Sequence, residues 1–387
     1  MDPLIATGTA VGSLAALGTL SELATRALLE RYGRYYVWMP FAHTVMPLDP
    51  AVFPRGDELV HFSVNALGER GAPLPADLST TYRILVGGGS AAECYFLDQT
   101  SSWPEALGRA LSTPAHLARL QRSSVHVGNV ARSLTDSHQL THLFARILPR
   151  YPRSDLVILM TGASDLVRWL EEHTPSTITP SPLTPSLLFA RHPEGPFGWT
   201  PSTLALRRIA SAARHTLFRG IQRREPAGKR LAANRRMRAQ ATRILTTIAD
   251  PAPILAYYEQ HLTQLVRLLQ QHSPRVLLLR QPWLERAFTP DEQRNLWMFA
   301  DGRPYAEPVS TYYSHTLIHS LLRQVDAVTT RVAANLQAES LELNSRIPAD
   351  FEHYYDDMHH TPKGCALIAS LIADHILTTP PHAASAR

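Results

Sequence analysis

Residues 83–90 read Arg83-Ile84-Leu85-Val86-Gly87-Gly88-Gly89-Ser90. Ile84, Leu85 and Val86 form a short apolar run, which predicts a buried strand. The three glycines permit a sharp turn whose backbone comes close to another group. Ser90 stands where such a turn presents a hydroxyl. Behind it, Trp103 to Leu111 predicts a helix with Pro104 in its first turn. A serine on a strand-to-helix turn suits a nucleophile, because its oxygen stands clear and neighbouring N–H groups converge beside it. Two other readings compete. Gly87-x-Gly89-x-x-Ala92 fits the loose dinucleotide fingerprint, but Leu107 to Ser124 contains no Asp or Glu to hold a ribose hydroxyl. A plain tight turn is the other. A phosphate loop is excluded, since no Gly-Lys-Ser/Thr follows.

Outward from this turn the chain alternates strand and helix. Ser124–Val127, Leu156–Met160, Arg275–Leu279 and Ser340–Leu343 read as further strands. His138–Leu148, Ile254–Gln271, Tyr313–Leu336 and Pro362–Leu377 carry helical spacing. Strands separated by helices predict an α/β fold with a parallel sheet and helices on both faces. Ligands of such sheets bind beyond the carboxyl ends of the strands. The Ser90 turn, the Gly162 turn and the Asp356–His360 segment all belong to that edge.

The 387 residues suffice for one large domain with additions. Hydrophobic content of 44% is ordinary for a globular protein, and net charge is +5. Lys229 and Lys363 are the only lysines, and neither lies in an apolar strand, which argues against Schiff-base chemistry. Two cysteines, Cys94 and Cys365, make no disulfide framework and fix no compartment. Residues 4–21 are uncharged and approach a membrane span in length, with arginines following at 26, 31 and 34. Residues 1–25 are therefore read as an apolar segment, either a membrane anchor or a docked helix, and 26–80 as an N-terminal extension. The main domain spans 81–379 and ends in a flexible tail, 380–387. A Pro-rich and then basic insertion, 173–250, interrupts it. From Arg207 to Arg243 there are twelve Lys or Arg against one acid, Glu225. That run reads as a solvated helical insertion or as a patch for an anionic membrane surface. It lacks the aromatic ladder of a nucleic-acid binder.

The far end of the chain decides against a plain turn at Ser90. Asp356-Asp357-Met358-His359-His360 precedes Thr361-Pro362, which suit the N-cap and first position of the last helix. Asp356 and His359, three apart on a loop, place a carboxylate within reach of an imidazole. Histidine is the base a serine hydroxyl needs near neutral pH, and a carboxylate fixes its tautomer. Spacing alone leaves Asp357 as an alternative orienter. It also leaves a metal cluster of His353, His359, His360 and the aspartates, or a solvated polar loop, as rival readings.

With these residues in view, the chain resembles the SGNH, or GDSL-like, serine hydrolases, in particular a bacterial subgroup with an N-terminal hydrophobic segment. Gly88-Gly89-Ser90 is similar to their first block and Val127 to Leu134 to their second. Thr161-Gly162-Ala163-Ser164-Asp165 is similar to their third, and Asp356-x-x-His359 matches their fifth. The resemblance implies a three-layer flavodoxin-like fold and a triad of Ser90, His359 and Asp356. It implies an oxyanion hole of the Ser90 N–H, a second-block N–H at Leu134 and the Ser164 side chain, with no cofactor and no metal. Two positions depart from the pattern: Leu134 stands where a glycine is usual, and Ser164 where an asparagine is. The implied activity is hydrolysis of an ester, on a small molecule, carbohydrate or lipid. Acyl transfer to a sugar hydroxyl by the same triad, or a weakened relative that binds a glycan or partner, are the alternatives.

Overall fold

Residues 81–88 do form a strand, and it lies inside the central sheet. The computed structural model describes residues 3–194, 203–217, 221–223 and 227–379. Thr81–Gly88 (β1) is buried at every position. Ser124–Asn129 (β2), Leu156–Met160 (β3), Val276–Leu279 (β4) and Glu339–Leu341 (β5) complete a sheet of order β5-β4-β3-β1-β2. Every pairing in it is parallel. The order reverses at β1 and β3, so a crevice opens at the carboxyl ends of these two strands, where Ser90 follows β1.

The strands are apolar on both faces because helices cover both. Trp103–Leu111 (α1) and Pro362–Thr378 (α6) share a core with Ile84, Val86, Ile158, Leu277 and Leu279. Ser137–Ile147 (α2), Ala163–Glu171 (α3), Ala252–Gln270 (α4) and His315–Leu336 (α5) pack on Leu85, Val157, Leu159 and Leu278. The period of two along each strand sorts its residues between these cores. The α/β three-layer arrangement expected from the sequence is the one present. One boundary differs: Tyr313 belongs to a short strand, Thr311–Tyr313, paired with Arg243–Leu245, and α5 starts after Ser314, whose hydroxyl accepts the Leu317 N–H.

The glycine run is required sterically. Gly88 has φ 149, and a Cβ there would strike the Met160 carbonyl oxygen and crowd Ala92. Gly88→Ala is expected to cost about 3 kcal/mol or more, from backbone strain plus a clash that the β1–β3 pairing cannot relieve. The midpoint of urea unfolding checks this.

Residues 65–71, read from sequence only as a turn-rich connector, are largely buried and tie the site to the sheet. The Glu69 carboxylate accepts hydrogen bonds from Arg83 on β1, from Asn65 Nδ2 at 2.7 Å, and lies 3.1 Å from His126 Nε2 on β2. Arg70 donates to the carbonyls of Glu93 (2.6 Å), Cys94 (2.7 Å) and Leu97 (2.7 Å), and so caps the turn that follows Ser90.

Two outer segments refine the sequence reading. The apolar segment lies within a helix that runs Pro3–Tyr32. Among the described residues no helix is long and apolar enough to cross a membrane, so the spanning-anchor expectation for residues 4–21 is not upheld. Its second half docks instead: Glu22 is buried and accepts the backbone N–H groups of Ala205 (2.8 Å) and Leu206 (3.1 Å), at the start of helix Ala205–Leu217. The insertion is not simply a solvated basic face either. Strand Ile221–Arg223 extends the hairpin of His43–Pro47 and Leu59–Ser63. In helix Lys229–Ala239, Arg235 and Arg238 are buried. Arg219, Arg224 and Glu225 of the basic run, and the tail 380–387, lie outside the described residues.

Candidate active site

Ser90 opens a one-turn helix, Ser90–Glu93, directly after β1, with Gly89 at its N-cap. Asp356 and His359 lie on the loop that leads into α6. Thr361 caps that helix, its hydroxyl accepting the Gly364 N–H at 3.2 Å, as the sequence suggests. The structure brings the three distant side chains together. His359 Nε2 is 2.7 Å from Ser90 Oγ. His359 Nδ1 is 2.8 Å from Asp356 Oδ2 and 2.9 Å from Oδ1. Ionised Asp356 only accepts, so Nδ1 carries a proton and the lone pair of neutral Nε2 faces the serine hydroxyl.

The carboxylate is well held. Asp356 is wholly buried and also accepts the Trp297 indole N–H (2.8 Å) and the backbone N–H groups of Met358 (3.0 Å) and His359 (2.9 Å). Burial alone would raise its pKa; the His359 charge and these donors bring it down to about 2. Burial pushes the His359 imidazolium down, and the charge and hydrogen bond of Asp356 more than reverse this, so His359 titrates above its ordinary value. The rings of Tyr355 and Trp297 lie parallel to the imidazole, with centroids 5.5 and 6.4 Å away.

The rival placements do not assemble. Asp357 is turned away, 3.6 Å from His315 Nδ1 and beside Arg238. His353 bonds to Asp350 at 2.7 Å, and His360 packs on the Tyr354 ring. Among the described residues no group of three or more side chains is arranged to hold a metal ion.

Leu134 and Ser164 both line a cleft of about 20 Å³ beside Ser90, with Gly89 and Thr161. Leu134 takes the left-handed backbone, φ 61, that a glycine in its place would adopt without strain. The loop that carries it is held from behind by Glu93, whose carboxylate accepts the Ser133 N–H and hydroxyl. Ser164 sits in the first turn of α3, over the nucleophile turn: a Cβ on Gly89 would lie 2.5 Å from its Oγ. Asp165 faces away, accepting the Ser137 hydroxyl at 2.5 Å and its N–H at 3.1 Å, and so pins the start of α2. Burial first, then Asp136, pushes the Asp165 carboxyl far above its ordinary value.

A second cavity, of about 310 Å³, opens over Ser90 and His359. Its walls are mainly aromatic, including Tyr95, Phe96, Trp297 and Tyr305, and Leu231 and Asn234 of helix Lys229–Ala239 close one side. That helix is clamped in place by its arginines. Arg235 donates to the carbonyls of Val52 (2.8 Å) and Tyr355 (3.0 Å), and Arg238 to that of Met298 (2.8 Å). Neither Trp297 nor this wall was foreseeable: Trp297 lies in an aperiodic loop, and the basic run matches a solvated helix in composition.

Neither a family model nor a curated protein sequence matches the chain. Solved structures that it is similar to include an acetylxylan esterase from Geobacillus stearothermophilus, at 10% identity and TM-score 0.39, covering 78% of this chain and 97% of that one. They also include a member of the lipolytic G-D-S-L family from Veillonella parvula, at 10% identity and TM-score 0.41, covering 77% and 99%. A lipase/acylhydrolase from Enterococcus faecalis is similar at 13% identity and TM-score 0.37, covering 78% and 99%. At these identities and scores the likenesses leave this chain's chemistry to be argued from its own side chains.

Proposed function

We propose that this protein is a serine hydrolase of the SGNH type that cleaves an ester through an acyl-serine intermediate. The observation that carries this is the unbroken hydrogen-bond chain Ser90–His359–Asp356, with distances of 2.7 and 2.8 Å. In the proposed cycle His359 Nε2 removes the Ser90 proton as Oγ attacks the carbonyl carbon. Asp356 stabilises the resulting imidazolium. The imidazolium then delivers its proton to the departing alcohol, and the acyl group stays on Ser90. Water, deprotonated by the same nitrogen, attacks the acyl carbon and frees the acid and the serine. The chain's own side chains supply every proton transfer.

The developing oxyanion is assigned to the Ser90 N–H, the Leu134 N–H and the Ser164 hydroxyl, grouped around the small cleft. One such donor contributes about a hundred- to a thousandfold in rate. Acyl or acetyl esters are the proposed substrate class, since an acyl-serine cycle of this kind requires an ester carbonyl. The test is labelling of the full chain with a fluorophosphonate. Wild-type protein is expected to label near neutral pH and Ser90→Ala not at all. Equal labelling of both would remove Ser90 from the chemistry.

A further inference from the structure

The aromatic cavity is lined by a buried polar side chain, Asn234, that no group among the described residues pairs with. Asn234 is 6% exposed and lines the cavity, yet its amide makes no hydrogen bond or other polar contact among the described residues. Its neighbours Arg235 and Arg238 hold the helix through bonds to the carbonyls of Val52, Tyr355 and Met298, so the amide is presented on a fixed support. An amide that opens onto a cavity and has no protein partner is free to pair with a ligand hydroxyl, as donor or acceptor. A second polar group lines the same cavity. Glu171 is also buried, its Oε2 accepting the Tyr305 hydroxyl at 2.7 Å, and burial lifts its carboxyl to about 7. The amide and the carboxyl near neutrality, with the exposed Arg230 guanidinium in the same lining, offer donors and an acceptor to a ligand hydroxyl. The flat walls of Tyr95, Phe96, Trp297 and Tyr355 suit the face of a ring.

Resting on the hydrolase reading, we propose that Asn234 is a specificity residue, and that the alcohol portion of the substrate is a neutral hydroxylated ring whose hydroxyl pairs with its amide. A pyranose and a phenol share this chemistry. The ring stacks on the aromatic wall, the free hydroxyl meets Asn234, and the ester carbonyl falls between Ser90 and the small cleft.

Two matched ester pairs test this on the full chain. The first is 4-hydroxyphenyl acetate against phenyl acetate; the second is a monoacetylated pyranose against cyclohexyl acetate. Wild type is expected to prefer the hydroxylated member of at least one pair by tenfold or more in kcat/KM, and the pair that shows it tells phenol from sugar. Asn234→Leu is expected to bring that ratio close to one while Ser90 still labels with the phosphonate. Asn234→Asp keeps the side chain's shape and removes its N–H donors, so it is expected to shift the ratio even if the leucine variant does not fold. No preference in either pair, or a preference that survives both substitutions, overturns the inference. Loss of labelling in wild type would instead overturn the hydrolase reading, and the two failures are distinct.

Discussion

Asp356→Asn is expected to lower kcat for ester hydrolysis by about 10⁴-fold while the chain stays folded, the size of loss that follows when a triad carboxylate becomes its amide. Asparagine keeps the shape of the side chain and an oxygen that still accepts the Met358 and His359 N–H groups. Its amide N–H₂, however, donates toward His359 Nδ1 and favours the tautomer with the proton on Nε2. That nitrogen then has no lone pair for the Ser90 hydroxyl. The pH profile changes as well. In wild type the imidazole must be neutral to act, so activity rises with pH through a midpoint above the ordinary histidine value of about 6.5. With the charge at 356 gone, burial acts on the imidazolium against only the weaker pull of more distant groups such as Asp357, and the midpoint of the residual activity moves to lower pH. Steady-state rates of both proteins across neutral pH check both statements. A variant within tenfold of wild type, or a midpoint that moves upward, would remove Asp356 from the triad.

The parts of this molecule that were legible in its sequence are those that short-range physics determines. Ile84-Leu85-Val86 and Leu156–Met160 read as strands because a strand covered on both faces is apolar along most of its length. Thr361-Pro362 marked the start of α6, and with it the loop carrying Asp356 and His359. What stayed hidden depends on contacts between distant segments. Nothing local in Asn65–Gly71 distinguishes a surface turn from a plug whose Glu69 enters the sheet and whose Arg70 caps the Ser90 turn. Arg235 and Arg238 look like solvated charge until the carbonyls of Val52, Tyr355 and Met298 are seen to meet them. For the uncharged N-terminal stretch, composition left membrane anchor and docked helix both open, because it does not show that Glu22 docks on the start of another helix.

The second large effect is on stability. Glu69→Leu is expected to destabilise the protein by about 3–5 kcal/mol, because it strands the buried Arg83 guanidinium without its counter-charge. Glu69 is 0% and Arg83 2% exposed, so water cannot take over the lost bonds. The site has no slack: a Cβ on Gly128 would overlap the Glu69 carboxylate, so a branched apolar side chain at 69 presses on β2 while filling the gap poorly. Breaking one partner is costly, but the intact cluster need not be worth that much, since all its charges were first removed from water. Replacing Glu69 and Arg83 together by Leu and Met is therefore expected to cost less than Glu69→Leu alone. Glu259–Arg331 provides the control. It is also a two-bond ion pair, at 2.6 and 2.9 Å, but its side chains are 36% and 49% exposed. Solvent screening limits Glu259→Ala to about 1 kcal/mol or less. Urea midpoints at constant slope measure all three. If Glu69→Leu cost no more than Glu259→Ala, the buried cluster would not be what fixes residues 65–71 against the sheet. The position of Arg70 behind the Ser90 turn would then need another cause.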